Sequence, residues 1–118
     1  DVAFLAHHLA LKSLHRPHDV HRYHEAIRRF WSSYCATRRE LQGSQAREPE
    51  PGLVSLQRRA LAHLACLMLA RIDGKSPVDY LSPQNRERAR AVSRGLILNP
   101  PEGWDDLLER IAQGVEGN

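Results

Sequence analysis

Apolar residues recur along this chain at intervals of three and four, the period of a helix with one buried face. The stretch V-A-F-L-A-H-H-L-A-L-K-S-L reads as a helix over about 1–14, with Asp1 as its N-cap oxygen acceptor and Pro17 ending it. Asp19 can cap a second helix over 20–41, where Ile27, Phe30, Trp31, Tyr34 and Leu41 share one side and Arg28, Arg29, Arg38 and Arg39 lie mostly on the other. Residues 42–52 hold Gly43, Pro49, Pro51 and Gly52 among polar side chains, a loop composition. A third helix over 53–73 is apolar nearly all round through Leu61, Leu64, Ala65, Leu67, Met68 and Leu69, so it is expected to be the most enclosed; Gly74, able to take positive φ, ends it. Ser76-Pro77 and Ser82-Pro83 are cap-plus-proline starts, predicting a short helical turn over 77–81 and a longer helix over 83–98 that stops at Asn99-Pro100-Pro101. A last helix over 104–113 has Leu107, Leu108 and Ile111 as its apolar face. No alternating pattern is long enough for a strand, and no repeat is present. The prediction is one all-α (sub)domain over 1–118, with five to six helices in an irregular bundle.

A chain of 118 residues with 42% apolar content can fill one modest core. The longest apolar run, 61–70, is about half of the roughly 20 residues that cross a bilayer, so no membrane association is expected. The opening D-V-A-F has no initiator Met, basic leader or cleavage site, and is expected to be an internal edge of a longer polypeptide. Cys35 and Cys66 lie in helical apolar patterns without C-x-x-C spacing, which predicts buried thiols in a reducing, cytoplasmic setting. The formal charge is +3 and the basic residues are nearly all Arg, with only Lys12 and Lys75 as lysines; an Arg- and Ala-rich composition explains this without an anionic partner.

Candidate chemistry is sparse. His15, His18, His21 and His24 recur every third position after the pair His7-His8, but Pro17 divides the row, and a zinc tetrahedron usually draws on Cys or carboxylate as well. Solvated histidines and no metal site are therefore expected. Arg86, Arg90 and Arg94, joined obliquely by Arg88, stack on one helix face where they could track phosphates. Glu87 interrupts them and no aromatic interleaves, so a solvated face is expected and nucleic acid is not; an autonomous helical module binding protein or nucleic acid through this face stays open as the alternative. Asp105 and Asp106 fall in a first helical turn, where the helix dipole favours negative charge. No nucleophile elbow, Gly-rich phosphate loop or H-E-x-x-H occurs, so no catalytic residue is assigned. Arg71, Asp73 and Lys75 stand where the third helix ends and could line a cleft; a C-cap with basic residues at the negative helix end is the plainer account.

Three stretches carry a family resemblance. D-V-A-F-L-A-H-H-L at 1–9, F-W-S-S-Y at 30–34 and L-A-R-I-D-G-K-S-P-V-D-Y-L at 69–81 resemble segments of aminoglycoside and choline kinase-like phosphotransferases, which have a protein-kinase-like fold. In that family the catalytic loop H-G-D-x-x-x-x-N, the magnesium-binding Asp and the nucleotide lobe lie upstream of the position matching Asp1. The resemblance thus implies the C-terminal helical part of a small-molecule phosphotransferase, inactive alone. It implies an N-terminal kinase-like lobe as partner, a small-molecule hydroxyl acceptor, and Mg with ATP or GTP in the intact enzyme, with no cofactor held by this chain. Asp1 would support the upstream catalytic loop, and His7, His8, Arg71, Asp73 and Lys75 are the substrate-binding candidates. A helix set shaped to lean on a missing lobe could also self-associate through an exposed apolar patch.

Overall fold

The computed structural model describes residues 2–42, 51–74 and 77–116. Among them are five helices and no strand: α1 (Val2–His15), α2 (Val20–Gln42), α3 (Pro51–Asp73), α4 (Pro83–Leu98) and α5 (Trp104–Glu116), with a 3-10 turn, Pro17–Asp19, between the first two. The chain is all-α, as its periodicity predicts. Asp1, the loop residues 43–50, Lys75 and Ser76 lie outside the described residues. α3 opens at Pro51 rather than 53, a position where proline's missing N–H costs no helical bond.

Residues 77–81 do not form the expected turn of helix; 77–78 are irregular and 79–81 are a bend. Val78 and Leu81 are drawn into the core, 4% and 6% exposed. The backbone groups of Val78 are spent on distant partners: its N–H donates to the Arg71 carbonyl at 2.8 Å and its carbonyl accepts from the Arg86 guanidinium at 2.9 Å. Burial and these bonds replace the local bonds a helix would have made. The next start is as predicted, with Ser82 Oγ accepting from Asn85 N–H at 3.1 Å and Pro83 in the first turn.

The helices alternate in direction. α2 returns along α1, bringing Phe30 and Tyr34 beside Val2 and Ala3, and Tyr23 beside Leu9. α3 runs forward with α1, from Ala60 beside Val2 and Ala3 toward Arg71 near His7 and His8. α4 comes back from Arg86, bonded to the Ile72 carbonyl, and α5 runs forward again, with Arg110 donating to the Gly95 carbonyl at 2.9 Å and Gly114 against Val92. Leu11, Leu14, Ile27, Leu61, Leu64, Met68, Leu96, Leu107, Leu108 and Ile111 fill the centre, none more than 1% exposed. Each such side chain contributes about 1.5–3 kcal/mol of transfer free energy.

The most enclosed helix is α1, not α3. Val2, Ala3, Ala6, His7, Ala10, Leu11, Ser13 and Leu14 of α1 are buried, whereas α3 leaves Ala62, His63, Cys66 and Ala70 exposed. Ala3, Ala6, Ala10 and Ser13 let neighbouring backbones approach α1 closely, whereas α3 buries Ala60 and Ala65 but turns Ala62, Cys66 and Ala70 outward. Ser13 Oγ, buried, donates to its own helix at the Ala10 carbonyl, 2.6 Å away. Taken whole, Gly52–Asp73 is long and apolar enough by length and composition to cross a membrane, with mean hydropathy 1.2, which the shorter run at 61–70 did not suggest. A third of that stretch is buried here, and its Leu61, Leu64, Ala65, Met68 and Ile72 are core residues of this bundle.

α2 and α3 each pack closely on α1 and only sparsely on each other. Clefts open between them.

Candidate functional site

His7, His8 and Arg71 come together on one edge of α1. His7 is fully buried, its ring 4.2 Å from that of His8, with Phe4 edge-on to both at 5.2 and 4.9 Å. Neither His7 ring nitrogen has a hydrogen-bond partner at ordinary distance. Burial first, then the neighbouring His8 and Arg71, hold His7 below the usual histidine range, against the pull of the Phe4 and Ala3 carbonyls. His8, half-buried, is lowered by burial and then by Arg71 and Lys12. Asp73 is not part of this group. It faces α4, where Arg90 donates to both its carboxylate oxygens at 2.7–3.1 Å, and that bonding keeps its carboxyl below the usual carboxylate range. Asp1 and Lys75, the remaining candidates, lie outside the described residues.

The row of histidines is not uniformly solvated. His18 and His21 are exposed and His15 packs on the Tyr80 ring at 5.0 Å, but His24 is only 3% exposed. Val20, His24 and Ile27 share one helical stripe, so His24 falls on the core face of α2. Burial, with Arg28 and His21 adding to it, pushes His24 down to about 4. The thiols also depart from expectation: both are free, but Cys66 is exposed and Cys35 only half-buried, its thiol raised by that burial against the opposing Arg39 and Arg38.

The arginine stripe is not a solvated face either. Arg86 donates to the carbonyls of Ile72 and Val78, and Arg90 binds Asp73 and Glu87 with its side chain 20% exposed. Only Arg94 of the three projects into solvent. Asp106 does act at its helix start, accepting from the Glu102 N–H at 3.1 Å, while Asp105 reaches across to Arg28 of α2 at 3.2 Å.

Three clefts line the separation of α2 from α3. One, of about 410 Å³, lies beside the first turn of α1 and is bounded by Val2, Ala3, Phe30, Tyr34, Leu56, Arg59, Ala60 and His63. A second, of about 280 Å³, is bounded by Trp31, Cys35, Arg39, Leu53, Val54 and Gln57. The Trp31 and Tyr34 rings, stacked at 5.8 Å and 12°, belong to the walls of the two. A third, of about 620 Å³, lies toward α5 among Arg28, Trp31, Gln57, Glu102, Trp104, Asp105 and Asp106. There the Trp31 and Trp104 rings stand 5.5 Å apart, and the buried Trp104 Nε1 has no protein acceptor.

Sequence reasoning placed Phe30, Trp31 and Tyr34 in the core and missed Arg59 and His63. No local signal marks those two: Phe30, Trp31 and Tyr34 fall within about 100° of the helix circumference, the width of an ordinary packing face. Among the described residues no group of three or more His, Cys, Asp or Glu is arranged to hold a metal. No protein-family model, no curated protein and no solved structure matches this chain.

Proposed function

We propose that this chain is the C-terminal helical, acceptor-side portion of a cytoplasmic small-molecule phosphotransferase that acts on a hydroxyl group. The observation that carries the reading is the meeting of the three resembling stretches on α1. The second stretch supplies Phe30 and Tyr34 to the cleft against Val2 and Ala3, and the third supplies Arg71 to the edge occupied by His7 and His8. Segments far apart in sequence thus share one helix.

In this reading the catalytic segment joins the chain at Asp1. The cleft beside Val2 and Ala3 is then the one nearest the reacting groups, and it takes the acceptor. Its floor is firm, because α1 is the most enclosed helix of the bundle. Phosphoryl transfer depends chiefly on positioning and charge neutralisation, and the parts for the second, metal and phosphate-binding groups, would stand on the upstream lobe. The work of this chain is to bind and orient the acceptor, and alone it is inactive.

The test is the coding sequence upstream of Asp1 and the activity of the longer product. H-G-D-x-x-x-x-N a short way upstream, with transfer of a nucleotide's terminal phosphate to a hydroxyl compound by the longer protein, is the expected result. A stop codon or an unrelated domain there would end the reading, as would phosphoryl transfer by the purified 118-residue chain itself.

A further inference from the structure

The cleft beside α1 also carries information on what it would hold. Its ionisable lining, among the described residues, is Arg59 and His63 at the rim with Tyr34 on the wall, and no carboxylate. Below the rim the surface is apolar: Val2, Ala3 and Ala60 are 6%, 1% and 5% exposed, and the Phe30 and Tyr34 rings stand 6.3 Å apart along one wall. The neighbouring smaller cleft repeats the pattern among the described residues, with Arg39 as the charged side chain of its lining and the buried Arg39 Nε without an acceptor among them. The cleft toward α5 is the opposite, with Glu102, Asp105 and Asp106 against the single Arg28. Charge along the α2–α3 separation is segregated.

We infer that the cleft beside α1 takes a hydroxy compound with an apolar or aromatic body and an anionic group, a hydroxy acid, rather than an amine. The inference rests on the reading of this cleft as the acceptor site and names the acceptor's class. The body would fill the space between Phe30, Tyr34 and Leu56, where apolar surface leaves water. The anion would meet Arg59 at the rim, whose planar guanidinium matches a carboxylate with two parallel N–H donors, and His63 offers a further ring donor. An ammonium group in the same place would be repelled by Arg59 and would find no carboxylate among the described lining residues.

The experiment is a titration of the ¹⁵N-labelled 118-residue chain with 3-(4-hydroxyphenyl)propanoate and, separately, with tyramine, a matched pair of aromatic acid and amine. The acid is expected to shift the backbone amides of Ala3, Tyr34 and Ala60, and to bind at least about tenfold tighter than the amine. Arg59→Gln should weaken the acid about tenfold, the scale of one lost charged hydrogen bond, and raised salt should weaken it in the unsubstituted chain. Arg29→Gln, at an exposed residue paired with Glu25, should leave the affinity unchanged. An amine bound as tightly as the acid, or an acid indifferent to Arg59→Gln, overturns the inference and leaves the cleft as a binding site. Silence of these amides with both probes at millimolar concentration removes the cleft as the acceptor site, and the inference with it. The phosphotransferase reading itself is decided separately by the upstream sequence.

Discussion

His24 shows how a single residue couples this fold to pH. Folded, it is held at about 4 by burial first and by Arg28 and His21 after that, against an ordinary value of 6.5. The unfolded chain takes up the proton more readily, so stability is complete above about pH 6.5, falls as pH drops toward 4, and levels off below. The whole difference amounts to about 3 kcal/mol, of which about 2 kcal/mol falls between pH 7 and pH 4.5. Urea unfolding at pH 7 and pH 4.5 should show this loss, and His24→Leu should remove most of it, leaving a weaker slope of the same sign from His7. If the variant loses as much stability as the parent over that interval, His24 is not the source. Gly74 is a second residue with a definite role. A Cβ there would lie 2.3 Å from the Ala70 carbonyl oxygen, which already accepts the Gly74 N–H at 2.8 Å. Gly74→Ala therefore cannot bring the usual entropic gain of such a change, and should lower the unfolding free energy by about 1–3 kcal/mol in denaturant titration. An unchanged or higher stability would show that the end of α3 relaxes freely.

At the scale of elements, Arg86 does what the 77–81 segment cannot do for itself. Its guanidinium donates to the Ile72 carbonyl at the end of α3 and to the Val78 carbonyl in that segment, tying α4 to both. Arg86→Met keeps the stem and deletes the donors, leaving two part-buried carbonyls short of partners. It should cost about 2–3 kcal/mol by urea denaturation, with Arg86→Lys recovering part of that. The Arg90–Asp73 pair beside it is more exposed and screened by solvent, so its loss should be felt less. These ties also mark where sequence reading stops. Helix starts such as Ser82-Pro83, and the core face of α5, were legible because they depend on neighbours one turn away. The path of 77–81 was not, because the partners of Val78 are Arg71 and Arg86, and nothing local announces them. The same holds for the arginine stripe: its four-residue spacing could be read, but not that two of its members turn inward. His24 was misread for a simpler reason, since its three-residue rhythm with His18 and His21 hid its place in the stripe of Val20 and Ile27. Of the substrate candidates read from the sequence, His7, His8 and Arg71 come together, Asp73 turns to Arg90, and none of these lines the cleft beside Val2; Arg59 and His63, which do, were not read because exposed polar residues on α3 line a cleft only where α2 stands away from it.

For the whole molecule, that separation sets which parts should move. α1 is enclosed by its neighbours, while α2 is held by α1 and at mid-length by α5, through Arg28 with Asp105 and Trp31 against Trp104. Beyond Tyr34 its described side chains are half-buried or exposed, and Leu41 is 82% exposed near its end. Local opening costs least where buried apolar contact is thinnest, so amide exchange should be slowest in the buried half of α1 and along Leu61, Leu64 and Met68, and fastest in α2 over 34–41. Hydrogen exchange read by mass spectrometry on peptides covering each helix would rank them, and equal protection of α1 and the 34–41 segment would contradict this account. Under the proposed acceptor reading, a cleft with one firm wall and one yielding wall would close on a small acceptor by moving α2 alone. Exchange over 30–41 should then slow when 3-(4-hydroxyphenyl)propanoate is added while that of α1 stays constant; slowing spread evenly over all five helices would mean the ligand acts by general stabilisation and not at this cleft.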